Sequence, residues 1–366
     1  GIVSYLVITL LLVIAIVYKF IDHITMRKKE FVCLNLVGYI KSKIKIIMRY
    51  EVICYYLTII LLPLPLVLLI GSRYIMNQEL TFINIYDSNN IIYVYNILCL
   101  FKDNNNKGRK NAMRKLLLEA DHISKIYDID TKNPFIAMKD ISLKVYEGDF
   151  ICIMGPSGSG KSTLLNNIST IDIPNKGHVY IDTSEITTMS EKEIGYFRYE
   201  KLGFIFQNYS LLQSLTMYEN IIAPLSLQKK KVIEMKKKAI ELAKLLNIEH
   251  TLDKFPNECS GGEKQRAAIA RALITNPKLI VADEPTGNLD SKNSHELLEM
   301  LKNMNTEESR TIIMVTHDPQ IASYSSKLIY ITDGKIVKEL ERKNMSQKDY
   351  FYEIMKITST DAQLFF

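Results

Sequence analysis

The 366-residue chain predicts an α/β domain with buried parallel strands, preceded by α-helical membrane segments. Three observations carry this. Residues 1–101 are mostly apolar with few acids, whereas 113–366 have the mixed composition of a soluble α/β protein. Short uninterrupted apolar runs (Phe150–Met154, Leu279–Ala282 and Ile312–Val315) read as strands buried on both faces. The first of them leads straight into the glycine-rich stretch Gly155–Ser162, after which Thr163-Leu-Leu opens a helix.

Size and composition bound the rest. The length suits two or three domains, each with its own core. With 47% hydrophobic and 23% charged residues the average is globular. A net charge of +6 is mild, and no basic patch is interleaved with aromatics, so nucleic acid is not an expected partner. Cys33, Cys54, Cys99, Cys152 and Cys259 are scattered and odd in number, which fits a reducing compartment and no disulfide framework. The chain opens on Gly1 rather than Met, which fits a natural start further upstream.

Ile2–Tyr18 carries no charge and lacks the basic flank and cleavage site of a signal peptide, so it reads as a membrane span. Val52–Ser72 is a second uncharged run, in which Pro63 and Pro65 are tolerable only inside a packed membrane helix. Residues 19–50 between them hold eight Lys and Arg against Asp22 and Glu30, which places that loop in the cytoplasm. A domain that meets cytoplasmic nucleotide then requires a further crossing, for which 80–101 is the candidate. The central Asp87 makes it a weak span, costing about 2.5–3.5 kcal/mol. The alternative is a degenerate or chimeric fragment joined to the second part. Residues 102–115 are Asn-rich and read as a linker.

The spacing Gly155-Pro156-Ser157-Gly158-Ser159-Gly160-Lys161-Ser162, between a strand and a helix, is a phosphate-binding loop. Glycines let backbone N–H groups curl round phosphate oxygens, and the helix N-terminus adds positive potential. Lys161 reaches the β- and γ-phosphates of ATP, Ser162 binds Mg²⁺, and Thr163, which opens the helix, completes the ATP-binding set. Asp283 and Glu284 end the strand that starts at Leu279. The first carboxylate suits the Mg²⁺ shell, and the second can orient or deprotonate an attacking water.

Cys259-Ser260-Gly261-Gly262-Glu263, about a hundred residues after that loop and just before the Asp283 strand, completes a pattern that resembles the ATP-binding-cassette (ABC) ATPases. The resemblance covers 116–340. It implies a P-loop NTPase fold of the α/β class with an α-helical subdomain, and two subunits closing around two ATP molecules. Ser260, Gly261, Gly262 and Glu263 would act on ATP held by the partner subunit. The resemblance further makes Gln207 a Mg²⁺ contact, Asp290 part of the loop after the acids, His317 the γ-phosphate sensor and Tyr127 the aromatic on adenine. Cys259 replaces the usual leucine at a packing position.

Arg198–Gln207, Leu211–Asn220 and Asp283–Asp290 are similar to the MacB/LolD/FtsE branch. Arg27–Glu51 resembles the cytoplasmic loop of FtsX-like permeases, with Tyr39–Met48 as its coupling helix. The two halves imply an ATPase on the cytoplasmic side of the cell membrane, partnered by a permease. In the C-terminal tail 341–366, Gln347–Ile354, following Asp333–Ile336, is similar to the C-terminal extension of bacitracin-efflux-type ATPases, which implies a peptide antibiotic as substrate; a lipid-linked molecule is the other substrate class expected. An FtsEX-like signalling complex that moves no substrate is the alternative. A soluble non-transport ABC protein would lack the membrane spans. Lys229–Lys231 and Lys236–Lys238 predict the solvated face of a helix whose other face is Val232, Ile233, Ile240 and Leu246.

Overall fold

A computed structural model describes residues 114–130 and 133–363. The expected membrane spans, the basic loop and the linker up to residue 113 lie outside the described residues. Among the described residues, no helix is long and apolar enough to cross a membrane.

In chain order the first strands are β1 (Leu116–Tyr127), β2 (Phe135–Tyr146), β3 (Phe150–Met154), β4 (Lys176–Ile181) and β5 (Ser184–Glu185). They are followed by β6 (Leu202–Phe206), β7 (Leu279–Asp283), β8 (Thr311–Val315), β9 (Lys327–Thr332) and β10 (Lys335–Glu341). The helices are α1 (Lys161–Ile168), α2 (Glu191–Lys201), α3 (Met217–Leu227), α4 (Val232–Leu245) and α5 (Gly261–Leu273), then α6 (Ser291–Glu308), α7 (Pro319–Ala322) and α8 (Gln347–Gln363). Helix α1 starts at Lys161, two residues earlier than Thr163.

Two sheets form. One is antiparallel, in the order β2-β1-β4-β5, and the other runs β10-β9-β3-β8-β7-β6. In the second sheet, β9, β3, β8, β7 and β6 are parallel and only β10 is antiparallel. Alternate residues of its strands enter two different cores, as a period of two demands. Cys152, Met154, Ile280, Ala282, Ile312 and Met314 face the helices α3, α5, α6 and α8. Ile151, Ile153, Leu279, Val281, Ile313 and Val315 face α1 and the antiparallel sheet. Both faces are covered, which is why these strands read as continuous apolar runs.

The helical layer is set by caps and spacing. Ser190…Glu193, Thr216…Glu219 and Ser260…Glu263 each form a reciprocal capping box at the start of α2, α3 and α5. Met217, Ile221 and Leu225 recur at i, i+4 and i+8 on α3 and are fully buried. Helix α4 bears out the sequence expectation in part: Lys236 and Lys237 are exposed and Leu246 is buried, but Lys231, expected on the solvated face, is buried. Its buried face is Met235, Ala239 and Ala243, with Leu246 just beyond, whereas Val232 and Ile233 stand outside, Ile233 at 71% exposure. Small alanines serve because α4 packs against both α3 and α5.

The segment after β10 is also part of the core. Helix α8 places Tyr350 and Ile354 at 0% exposure among the helical-face residues. The Tyr350 hydroxyl donates to the Leu340 carbonyl at 3.1 Å.

Candidate functional site

Four adjacent parallel strands end in one row. Ile153 is opposite Val315, Val315 opposite Asp283, and Asp283 opposite Phe206. The next residues along each strand are the glycine loop, Thr316-His317, Glu284 and Gln207. Segments from Ile153 to His317 are thus brought to the carboxyl edge of one sheet, where open α/β sheets bind ligands.

The loop 155–160 leads directly into α1. Gly160 has φ +97°, and a Cβ there would lie 2.6 Å from the Ala137 carbonyl oxygen, so only glycine fits. The first turn of α1, Lys161–Thr163, presents N–H groups without intrahelical acceptors. Lys161 is buried and its ammonium donates to the Pro156 carbonyl at 2.6 Å. Burial lowers its pKa, and the charges of Glu284 and Asp283 oppose that shift.

Ser162 is hydrogen bonded to Asp283. Burial first, and then the Glu284 charge, raise Asp283 above the usual carboxylate range; Ser162 and Lys161 pull the other way. Two part-buried acids in sequence, with a hydroxyl on one of them, form a hard-oxygen site short of positive charge. That donor set fits Mg²⁺ shared with nucleotide phosphates.

Glu284 occupies the left-handed backbone region, with φ 42°. Its N–H donates to the Val315 carbonyl at 3.0 Å, which fixes the turn against β8. Its carboxylate Oε1 meets His317 Nδ1 at 2.8 Å. The Gln207 side chain lies against Gly287, where a Cβ would approach its amide nitrogen to 2.5 Å. The Asn288 amide donates to the Gln207 carbonyl at 2.7 Å. Tyr127, at 36% exposure, donates to Asp172 at 3.2 Å and bonds Thr163 of α1, so its ring stands beside the phosphate loop. Phosphate loop, acids, His317, Gln207 and Tyr127 therefore converge.

Ser260–Glu263 forms a separate group, at the N-terminus of α5. The Glu263 carboxylate accepts from the Ser260 N–H and hydroxyl, both at 2.7 Å, and from His250 at 2.9 Å. Those bonds, Ser260 first, hold its pKa down at about 2. Asp290 caps α6 by accepting from Asn293, and a Cβ on Gly262 would touch the Asn293 side chain. Asp290 thus stands beside the Ser260 turn of its own chain. Cys259 is buried in the helical-face core, at the packing position expected of it.

A family model described as ABC transporter matches residues 138–287. The bacitracin export ATP-binding protein BceA of Halalkalibacterium halodurans is 47% identical over 240 residues, which are 66% of this chain and 94% of that protein. The chain belongs to the ABC transporter ATP-binding proteins. The ATP-binding cassette MJ0796 of Methanocaldococcus jannaschii is 40% identical over 227 residues. Its dimeric post-hydrolysis structure, bound to ADP and Pi, matches with a TM-score of 0.59, covering 63% of this chain and 100% of that one. The macrolide export ATP-binding/permease protein MacB of Campylobacter jejuni subsp. jejuni serotype O:2 is 44% identical over 211 residues, which span 33% of that longer protein. The chain is an ABC ATPase, the ATP-binding subunit of an ABC transporter.

Sequence spacing did not reveal the residues that hold this ABC site in shape. Lys125 donates to Asp172 at 2.8 Å and lies 5.2 Å from the Tyr127 ring centre, so it braces the aromatic from below. Arg271 on α5 donates to the carbonyls of Ser210 and Tyr209, the latter at 2.8 Å, just beyond Gln207. Asn220 bonds the carbonyls of Leu212, Leu215 and Thr216 and closes the same segment. His250 is bound to the Glu263 carboxylate. An Arg set among Ala267, Ala268, Ala270 and Ala272 is the one sequence signal among them.

Proposed function

We propose that two copies of this ABC ATPase close around two ATP molecules, each lying between the Gly155–Thr163 loop of one copy and the Ser260–Glu263 turn of the other. The convergence of four strand ends on one edge carries this reading. The loop N–H groups and Lys161 would hold the phosphates, and Tyr127 would cover the adenine. Ser162, Asp283 and Gln207 would hold Mg²⁺, which when bound supplies charge neutralisation at the β- and γ-phosphates. Glu284 would orient and deprotonate the attacking water. His317, bonded to Glu284 through Nδ1, would offer its other ring nitrogen to the γ-phosphate. Most of the rate advantage would come from positioning and electrostatics.

Coupling would run from Gln207 to the membrane part, read as an FtsX-like permease fragment at 1–101 joined by the linker 102–115. The ATPase would then stand on the cytoplasmic face of the cell membrane. The relatedness to bacitracin and macrolide export proteins supports export or removal of an antimicrobial peptide or lipid-linked molecule. Glu284→Gln keeps the shape and removes the base, so it should accumulate an ATP-bound dimer on size exclusion. Hydrolysis at the wild-type rate by that variant would refute the role given to Glu284.

A further inference from the structure

The Ser260 turn has a proton shortage. A serine hydroxyl carries one proton. In this structure Ser260 spends it on Glu263 Oε2 at 2.7 Å, while accepting from the Glu263 N–H at 3.3 Å. To donate to a γ-phosphate, Ser260 must withdraw that proton from the carboxylate. Glu263 then keeps its charge beside an incoming triphosphate, a like-charge contact that opposes closure. Two donors remain to it, the Ser260 N–H on Oε2 and His250 Nε2 at 2.9 Å on Oε1.

We propose that His250 is a positioning residue of the Ser260 turn. Its bond to Glu263 holds and offsets the carboxylate, which frees the Ser260 hydroxyl to turn toward the γ-phosphate on the partner subunit. The proposal rests on the reading that Ser260–Glu263 acts in trans. Geometry favours it over a surface ion pair of no consequence. His250 lies on the short turn Glu249–Thr251, whose Thr251 is fully buried and donates to the Ile248 carbonyl at 2.7 Å, so the imidazole is carried on an anchored backbone. The Glu263 side chain is 18% exposed and the imidazole 62% exposed, so water reaches the pair from the His250 side while the carboxylate itself is largely covered. In this geometry the bonds from Ser260 and then His250 hold Glu263 down at about 2, so it is an ionised carboxylate that His250 meets.

A double-mutant cycle on the full chain tests this. His250→Ala should raise the KM for ATP about three- to tenfold, with kcat within about twofold and the melting temperature lowered by no more than about 4 °C, as for loss of one part-exposed pair. His250→Gln, which keeps an N–H donor of similar reach, should recover most of the loss. In a Glu263→Gln background, where no charge needs an offset, the same His250→Ala change should alter KM less than about twofold. An unchanged KM in His250→Ala, or an equal rise in both backgrounds, would overturn the proposal. If turnover is too slow in any form, the cycle is read from the ATP concentration that half-maximally dimerises the Glu284→Gln forms. Gly262→Arg separates the two readings, because its side chain would block approach of the other subunit. Retained ATPase in Gly262→Arg sinks the trans role of the turn. Lost ATPase together with an additive cycle sinks only His250.

Discussion

Replacing Tyr127 with alanine tests the proposed adenine contact apart from the chemistry. The ring stands beside α1 with about a third of its surface open, its hydroxyl tied to Asp172 and Thr163 and the Lys125 ammonium beneath it. A base stacked on such a ring contributes about 1–3 kcal/mol, which is roughly a 5- to 150-fold change in Kd. Tyr127→Phe keeps the ring and loses only part-exposed hydrogen bonds, so it should weaken binding less than about threefold. The stack is the same before and at the transition state, so kcat should stay within about twofold for both variants. Isothermal titration with ATP gives Kd, and steady-state ATPase gives kcat. An unchanged Kd in Tyr127→Ala would refute the assignment. A Phe variant as weak as the Ala variant would shift the role from the ring to the hydroxyl.

Two further outcomes test the fold and the Ser260 turn. Tyr350→Ala should cost about 3–5 kcal/mol, because a fully buried aromatic leaves a cavity, and Tyr350→Phe about 1–3 kcal/mol for the orphaned Leu340 carbonyl. Thermal melts should order the variants that way if α8 is core rather than an appended tail. Glu263 is held well below its ordinary value of 4.5, at about 2. A depressed carboxylate contributes stability that is full above pH 4.5 and is lost as pH falls toward 2. Glu263→Gln should therefore flatten the acid side of the stability curve between those values and leave it unchanged in shape near neutrality.

The parts of the site that were legible in sequence are those fixed by local spacing. Gly155–Ser162 announces itself because backbone N–H groups need glycines there, and Asp283–Glu284 because two acids end an apolar run. The strand row that joins them is set by the tertiary pairing β3-β8-β7-β6, which the apolar runs alone do not order. The buried face of α4 was hidden because Ala239 and Ala243 pack it with small side chains, while the more apolar Ile233 points outward. The braces of the site were hidden for a different reason. Asp172 meets Tyr127, Arg271 meets Ser210 and His250 meets Glu263 across tertiary contacts, with no periodicity to betray them. Helix α8 reads as a short amphipathic segment, and only the partners of Tyr350 and Ile354 reveal that it closes the core.

The central claim is that each ATP is worked on by two subunits, and a mixing experiment tests it most directly. Lys161→Ala destroys the phosphate loop, and Gly262→Arg blocks the Ser260 turn. Each variant alone should be inactive, since every site in its dimer lacks one half. Mixed in equal amounts they should regain ATPase activity, because one site of the mixed dimer unites an intact loop with an intact turn. A mixture as inactive as its parents, under conditions where the mixed dimer is shown to form, would contradict the account, as would an active Gly262→Arg protein on its own.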